Sequence, residues 1–186
     1  MQHQMMEATH LQDRFLWLQR TPLQSQSGKS VSLSSSGITG ETGWGDSSGG
    51  YATFDISIYS QPAYQYIDPQ IPHNGYRDVP DLAFVAAPYI ATYVNGGFVA
   101  YSGTSYAALM FAGIIAGLGK NGGGAHGSIN KRFMISRTSS GAYNDVTTGN
   151  NGISAGTGWV YVTGFGSVNA LPFIQQVEDY YACNCH

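Results

Sequence analysis

The sequence predicts an α/β fold, a sandwich built around a mostly parallel sheet, on three observations. Residues 81–87 (DLAFVAA) form a nearly unbroken apolar run, which suits a strand buried on both faces of a parallel sheet. Residues 105–118 (SYAALMFAGIIAGL) are apolar almost all round, with small residues at many turns, which marks a buried central helix rather than a surface one. Candidate strands and helices alternate along the chain, and that alternation packs helices against a sheet.

Taken in order, residues 1–26 are rich in Gln and Met and read as a leader, partly helical at most. Residues 29–33 (KSVSL) alternate like a short strand, and the Ser-rich stretch 34–37 reads as a turn. From Glu41 to Pro72 a long irregular segment is punctuated by Gly, Trp and Tyr; a loop of that length in a compact domain is usually functional or structurally special. Residues 91–94 and 98–101 flank Asn95-Gly96-Gly97, a strong hairpin signal. Residues 128–137 have the spacing of an amphipathic helix, 141–166 are loop-rich with isolated strand-like pieces, and 168–180 form a closing helix. There is no internal repeat.

The 186 residues suffice for one domain with a sizeable core. Charged residues make up only 10%, which suits short strands and loops better than long charged surface helices. A net charge of -3 with scattered basic residues gives no electrostatic reason for nucleic acid or an anionic membrane to bind. No apolar run is long enough to span a membrane, and residues 1–20 lack an apolar stretch of the signal-peptide kind. Cys183 and Cys185 lie too close in sequence for an unstrained bridge. With His186 they make a poor metal site, three ligands on a chain end without a fourth.

Ser102-Gly103-Thr104-Ser105 immediately precedes the apolar helix. Gly103 permits a tight turn, which places Ser105 in the first helical turn at the sheet edge. Unpaired N–H groups and the positive end of the dipole lie there, ready to stabilise an oxyanion forming beside Ser105. Serine is a weak nucleophile without a neighbouring base. The plainer reading is that Ser102 or Ser105 caps the helix.

Further segments, in order, carry a family resemblance. They are Glu41-Thr42-Gly43-Trp44 with Ser48-Gly49-Gly50-Tyr51, Phe54, Pro62 and Tyr64-Gln65; then Tyr76-Arg77-Asp78-Val79-Pro80-Asp81; then Asp145-Val146-Thr147-Thr148-Gly149-Asn150; then Gly156-Thr157-Gly158-Trp159 with Thr163-Gly164-Phe165-Gly166. With SGTS and its helix, this order resembles the sedolisin (serine-carboxyl peptidase) family, which includes the kumamolisins and tripeptidyl peptidases. The resemblance implies a subtilisin-like fold with helices on both faces of the sheet, of which this chain carries the C-terminal half. It divides the chain into an unmatched leader (1–27), peptidase domain (28–180) and tail (181–186). It implies Ser105 as nucleophile, peptides or proteins as substrate, and action outside the cell or in a lysosome-like or vacuole-like compartment. A carboxylate base suits acid pH, since its pKa lies well below that of His.

The family's base is a Glu with an Asp four residues on, and a further Asp in a Gly-Asp-x-Gly setting completes the oxyanion hole. Glu7, Asp13, Glu41, Asp46, Asp55, Asp68, Asp78 and Asp81 precede Ser105, and no Glu among them has an Asp at that spacing. Asp46, in Gly45-Asp46-Ser47-Ser48-Gly49, falls too late in the motif order for the oxyanion Asp and reads as a turn residue. Leu109 stands where the family has Pro, a loss tolerable in the first turn. The expectation is a chain missing the N-terminal half of the peptidase domain and inactive alone; the alternative is a degenerate homologue serving as a scaffold or binding module. A subtilisin-type Ser-His-Asp protease fits less well, because His3, His10 and His73 lack a His-Gly-Thr setting and His126 follows Ser105.

The resemblance also implies a calcium site with the Asp145 side chain and the carbonyls of Val146, Gly156 and Gly158. Its last position, an Asp in the family, is Val160 here. With one carboxylate gone, binding is expected to be weak.

Overall fold

The computed structural model describes residues 26–51, 61–121 and 141–183. The leader, the 128–137 helix and the terminal Cys185 and His186 lie outside these residues.

The expected strand at 29–33 is the middle of β1 (Gln26–Ser34), which returns through a tight turn into β2 (Gly37–Gly43). The two pair antiparallel, with a register shift between Ser32 and Leu33. After β3 (Gly50–Tyr51), the one-turn helix α1 (Ala63–Tyr66) and β4 (Asp78–Val79), the apolar run becomes β5 (Leu82–Ala87). It pairs parallel to β1, giving the order β2-β1-β5. Leu82, Ala83, Phe84 and Ala86 are buried, as a strand covered on both sides requires. The α/β class holds; among the described residues the sheet is mixed, with one parallel and one antiparallel pairing.

Asn95 and Gly96 have φ 50° and 84°, the left-handed pair that a two-residue hairpin turn needs. They join β6 (Ile90–Val94) to β7 (Gly97–Tyr101). Helix α2 (Thr104–Asn121) follows and packs on β1 and β5. Short strands β8 (Tyr143–Asn144) and β9 (Ser167–Val168) pair antiparallel, and α3 (Ala170–Cys183) closes the described chain beside α2.

The core gathers Leu82 and Phe84 of β5, Ala107, Phe111 and Leu118 of α2, Phe173 and Val177 of α3, and Trp159 and Phe165 of the preceding loop. Phe84 and Phe111 meet at 5.5 Å between ring centroids. One expectation needs correction: α2 is not buried all round. Its inner positions Ala107, Phe111 and Leu118 are buried, whereas Leu109 is 67% exposed and Ala108, Ala112, Gly113 and Ala116 also face outward. The described residues cover one side of the helix, so its uniform apolarity does not translate into uniform burial.

A polar layer sits beneath this core. Arg77 and Asp81 form a buried ion pair, the Tyr64 hydroxyl donates to Asp81 at 3.3 Å, and the Arg77 guanidinium lies over the Tyr64 ring. The Gln65 side chain pairs both ways with the backbone of Asp78, accepting its N–H at 3.0 Å and donating to its carbonyl at 2.7 Å. The long segment from Glu41 to Pro72 thus ends in a buried lattice that fixes the approach to β5.

Candidate active site

Gly103 has φ +145°, a backbone conformation that L side chains rarely adopt. Its N–H donates to Ala86 O at 2.9 Å, which hangs the turn on the end of β5, and its carbonyl accepts the Tyr106 N–H at 3.1 Å. Helix α2 starts at the next residue, so Ser105 lies in its first turn, as expected, and is exposed. No acidic residue occupies that turn to neutralise the N–H groups at the helix end.

Two of the sequence motifs meet here over a bare glycine. Trp44, the last residue of the Glu41–Trp44 motif, donates its N–H to Gly28 O at 3.0 Å. A Cβ on Gly28 would lie 2.7 Å from the Trp44 ring, 2.8 Å from Ala86 Cβ and 3.4 Å from Thr104 Cγ2. Gly28 therefore sets how closely β1 approaches the turn that carries Ser105. The strand pattern at 29–33 begins one residue after Gly28, so no signal in the sequence marks this contact.

The hairpin in front of Ser105 is anchored through the residue after it. The Tyr106 ring stacks on Tyr101 at 6.0 Å, and the Thr92 hydroxyl donates to the Tyr106 hydroxyl at 3.4 Å.

The acidic residues described before Ser105 are engaged elsewhere or turned to solvent. One Glu41 carboxylate oxygen pairs with Lys29 and the other accepts the Ser167 hydroxyl at 2.8 Å. This serine–carboxylate contact was not foreseen. Ser167 is 1% exposed, so no substrate reaches it. Asp46 is exposed in the turn after Trp44, matching its reading as a turn residue. Asp68 accepts the Gln70 N–H at 2.8 Å. Asp78 is fully buried and accepts hydrogen bonds from Tyr161, Asn74 and Gln61. Burial raises its pKa above the usual carboxylate value, although those three donors and Arg77 pull the other way. Burial likewise pushes the Tyr64 and Tyr161 hydroxyls upward, and the carboxylates beside them add to it, so both remain donors. Among the described residues these positions supply no Glu-Asp pair for Ser105.

In the loop from Asp145 to Gly166 the Asp145 carboxylate lies beside the backbone of Gly158. The Asp145 carboxylate accepts the Gly158 N–H at 2.7 Å. The Val146 carbonyl accepts the Thr163 hydroxyl at 3.3 Å, and Val160 exchanges backbone hydrogen bonds with Gly164. Gly156 lies beside Val160. No three His, Cys, Asp or Glu side chains cluster among the described residues. Calcium takes about 6–8 oxygen ligands, preferably with several charged. A single carboxylate, already holding an N–H, leaves the loop poor in charged ligands. Instead the loop is closed by protein contacts: Trp159 donates from its backbone to Gln70 at 3.2 Å and from its indole to Pro80 O at 3.0 Å.

No protein-family model matches the chain. Sedolisin from Pseudomonas sp. (strain 101) is 35% identical to it over 130 residues, which is 65% of this chain and 21% of that protein. The solved structure of Pseudomonas sedolisin, a serine-carboxyl proteinase complexed with two molecules of pseudo-iodotyrostatin, matches with a TM-score of 0.73 at 28% identity. That match covers 91% of this chain and 49% of the solved one. The chain thus spans about a fifth of the curated relative's length and about half of the solved chain.

Proposed function

We propose, from a relationship to the sedolisins that spans part of their peptidase domain, that this chain carries the nucleophile-bearing part of a serine-carboxyl peptidase. The observation that carries the reading is the position of Ser105. It is exposed in the first turn of an 18-residue helix, on a turn hung from the parallel strand β5.

The chemistry follows from that position. The Ser105 oxygen attacks the carbonyl carbon of a peptide bond, and its proton passes to a carboxylate. The resulting oxyanion is stabilised by N–H groups at the start of α2. On this reading the Glu-Asp pair and the oxyanion Asp are supplied by another part of a sedolisin peptidase domain. A Glu base, with an unperturbed pKa of about 4.3, keeps the reaction at acid pH. The exposed apolar outer face of α2, including Leu109, supports further covering by that part of the domain. The substrate is a peptide or protein, and the family relationship supports action outside the cell or in a lysosome-like or vacuole-like compartment. Closure of the Asp145–Gly166 loop by hydrogen bonds supports only weak calcium binding.

The test is labelling with a phosphonofluoridate serine reagent at acid and neutral pH, followed by mapping of the modified residue. The chain is used alone and mixed with the N-terminal half of a sedolisin peptidase domain. The expected result is modification of Ser105 at acid pH only in the mixture. Modification confined to another serine, or none in a mixture shown to associate, overturns the assignment.

A further inference from the structure

We propose that the outer edge of β7 receives an extended, uncharged peptide segment as an added strand and leads it to Ser105; this rests on the peptidase reading above. Strands β6 and β7 form a sheet of their own, and among the described residues no strand pairs with the outer edge of β7. In a hairpin with a two-residue turn, the pair flanking the turn exchanges hydrogen bonds, and such pairs then alternate along the ribbon. The flanking pair is Val94–Gly97, so Thr92–Val99 and Ile90–Tyr101 bond inward. The N–H and C=O groups of Phe98 and Ala100 consequently point away from β6. All of β7 is exposed. An edge of this kind is a template for another strand.

Three features select the occupant. The strand runs through Ser102 and Gly103 directly into the first turn of α2, so a segment laid along β7 ends beside Ser105. From Tyr89 to Tyr106 there is no charged residue, which matches an uncharged segment and gives a charged one no partner. The two faces of the ribbon also differ. Thr92 and Tyr101 lie on the face held by Tyr106. On the opposite face Tyr93 and Phe98 pair edge-on at 5.1 Å and are 64% and 79% exposed, where alternate side chains of an added strand would rest. Edges that must stay unpaired usually carry lysine, proline or a bulge; β7 has none of these.

The experiment is a titration of the full chain, followed by backbone amide NMR shifts, with blocked acetyl-Thr-Tyr-Thr-Tyr-Thr-amide. The same peptide N-methylated at alternate residues, and a counterpart with Lys in place of Tyr, serve as controls. The amides of Phe98 and Ala100 should shift more than those of Val99 and Tyr101. N-methylation and Ala100→Pro should each weaken binding by about fivefold or more. Ala100→Pro removes an outward N–H only, a position where proline is tolerated, and N-methylation leaves the protein untouched. The proposal falls if the shifts are absent, if they are equal at inward and outward amides, or if neither N-methylation nor charge changes the affinity. It also falls if Phe98 and Ala100 shift with protein concentration in the absence of peptide, which assigns the edge to a second copy. Loss of peptide binding while Ser105 still takes the serine reagent refutes the edge and leaves the peptidase reading standing. Binding at the edge with Ser105 inert in the mixture with the N-terminal half of a sedolisin peptidase domain does the reverse.

Discussion

Tyr161 donates its phenolic hydrogen to Asp78 at 2.8 Å, tying the C-terminal loop to a strand 83 positions earlier in the chain. The same carboxylate accepts from Asn74 at 2.9 Å and Gln61 at 3.1 Å. Three segments therefore depend on one buried acid, which stands just ahead of β5 and the turn that β5 supports.

That acid has a defined pH signature. Burial holds its folded pKa above the ordinary aspartate value. Its proton therefore binds the folded chain more tightly than the unfolded one. The resulting stability is fully present below pH of about 4 and is lost as pH rises through the raised folded value. Asp78→Asn removes this dependence. In urea melts from pH 3 to pH 7, the wild-type chain should gain on Asp78→Asn as pH falls. Tyr161→Phe takes away a hydrogen bond that lowers the Asp78 pKa, so the loss of stability should begin at the same pH and continue to higher pH. A wild-type advantage that grows toward neutral pH contradicts the burial argument.

The Arg77–Asp81 pair should behave as a buried ion pair and not as a surface one, since both side chains are nearly inaccessible. Removing either partner alone takes the opposite charge away from a buried one, at a cost of about 3–5 kcal/mol. Asp81→Leu and Arg77→Leu should each be destabilising on that scale. The double variant should recover part of the loss, because no unpaired charge remains. Urea midpoints of the three variants check this, and strictly additive losses would show that the two side chains act independently.

Much of this architecture was legible because it is local. The apolar run at β5, the Asn95-Gly96 turn and the position of Gly103 each express a backbone requirement within a few residues. The network around Asp78 was not, because Gln61, Gln65, Asn74 and Tyr161 are polar residues in segments that read as loops, and only the tertiary fold brings them together. Glu41 illustrates the same limit: its place in a motif was visible, but its contacts with Lys29 and Ser167 depend on a hairpin and on a strand 126 positions away. The outward face of α2 was misread for a different reason. Composition reports how apolar a helix is, while burial depends on what is packed against each side of it.

At the candidate nucleophile, Gly103→Ala should cost about 1–3 kcal/mol, since its φ of +145° lies where side chains are strained. Reactivity should fall further than stability, because Ser105 is the second residue after this turn. In a chain restored with the N-terminal half of a sedolisin domain, Ser105→Ala should abolish peptide hydrolysis at acid pH, while Ser102→Ala should leave some. The present chain alone should show none above background, because the described residues offer Ser105 no Glu-Asp pair to take its proton. Hydrolysis assays on the four proteins decide this; equal loss from Ser102→Ala and Ser105→Ala removes the distinction between the serines.

Val160 offers the sharpest test of the C-terminal loop. The Asp145 carboxylate now holds the Gly158 N–H at 2.7 Å, which closes the loop without an ion. Calcium affinity depends strongly on the number of charged ligands and on the rigidity of their loop. Val160 is held by paired backbone hydrogen bonds to Gly164 at 3.2 and 2.8 Å, so its position is already fixed. Val160→Asp places a second carboxylate there. Without calcium the two acids repel and the variant should melt below the wild-type chain; with calcium it should melt above its own metal-free form. The wild-type melting temperature should be nearly the same in calcium and in chelator. A large calcium-dependent rise in the unaltered chain would show that another oxygen completes the site and that hydrogen-bond closure is not what holds this loop.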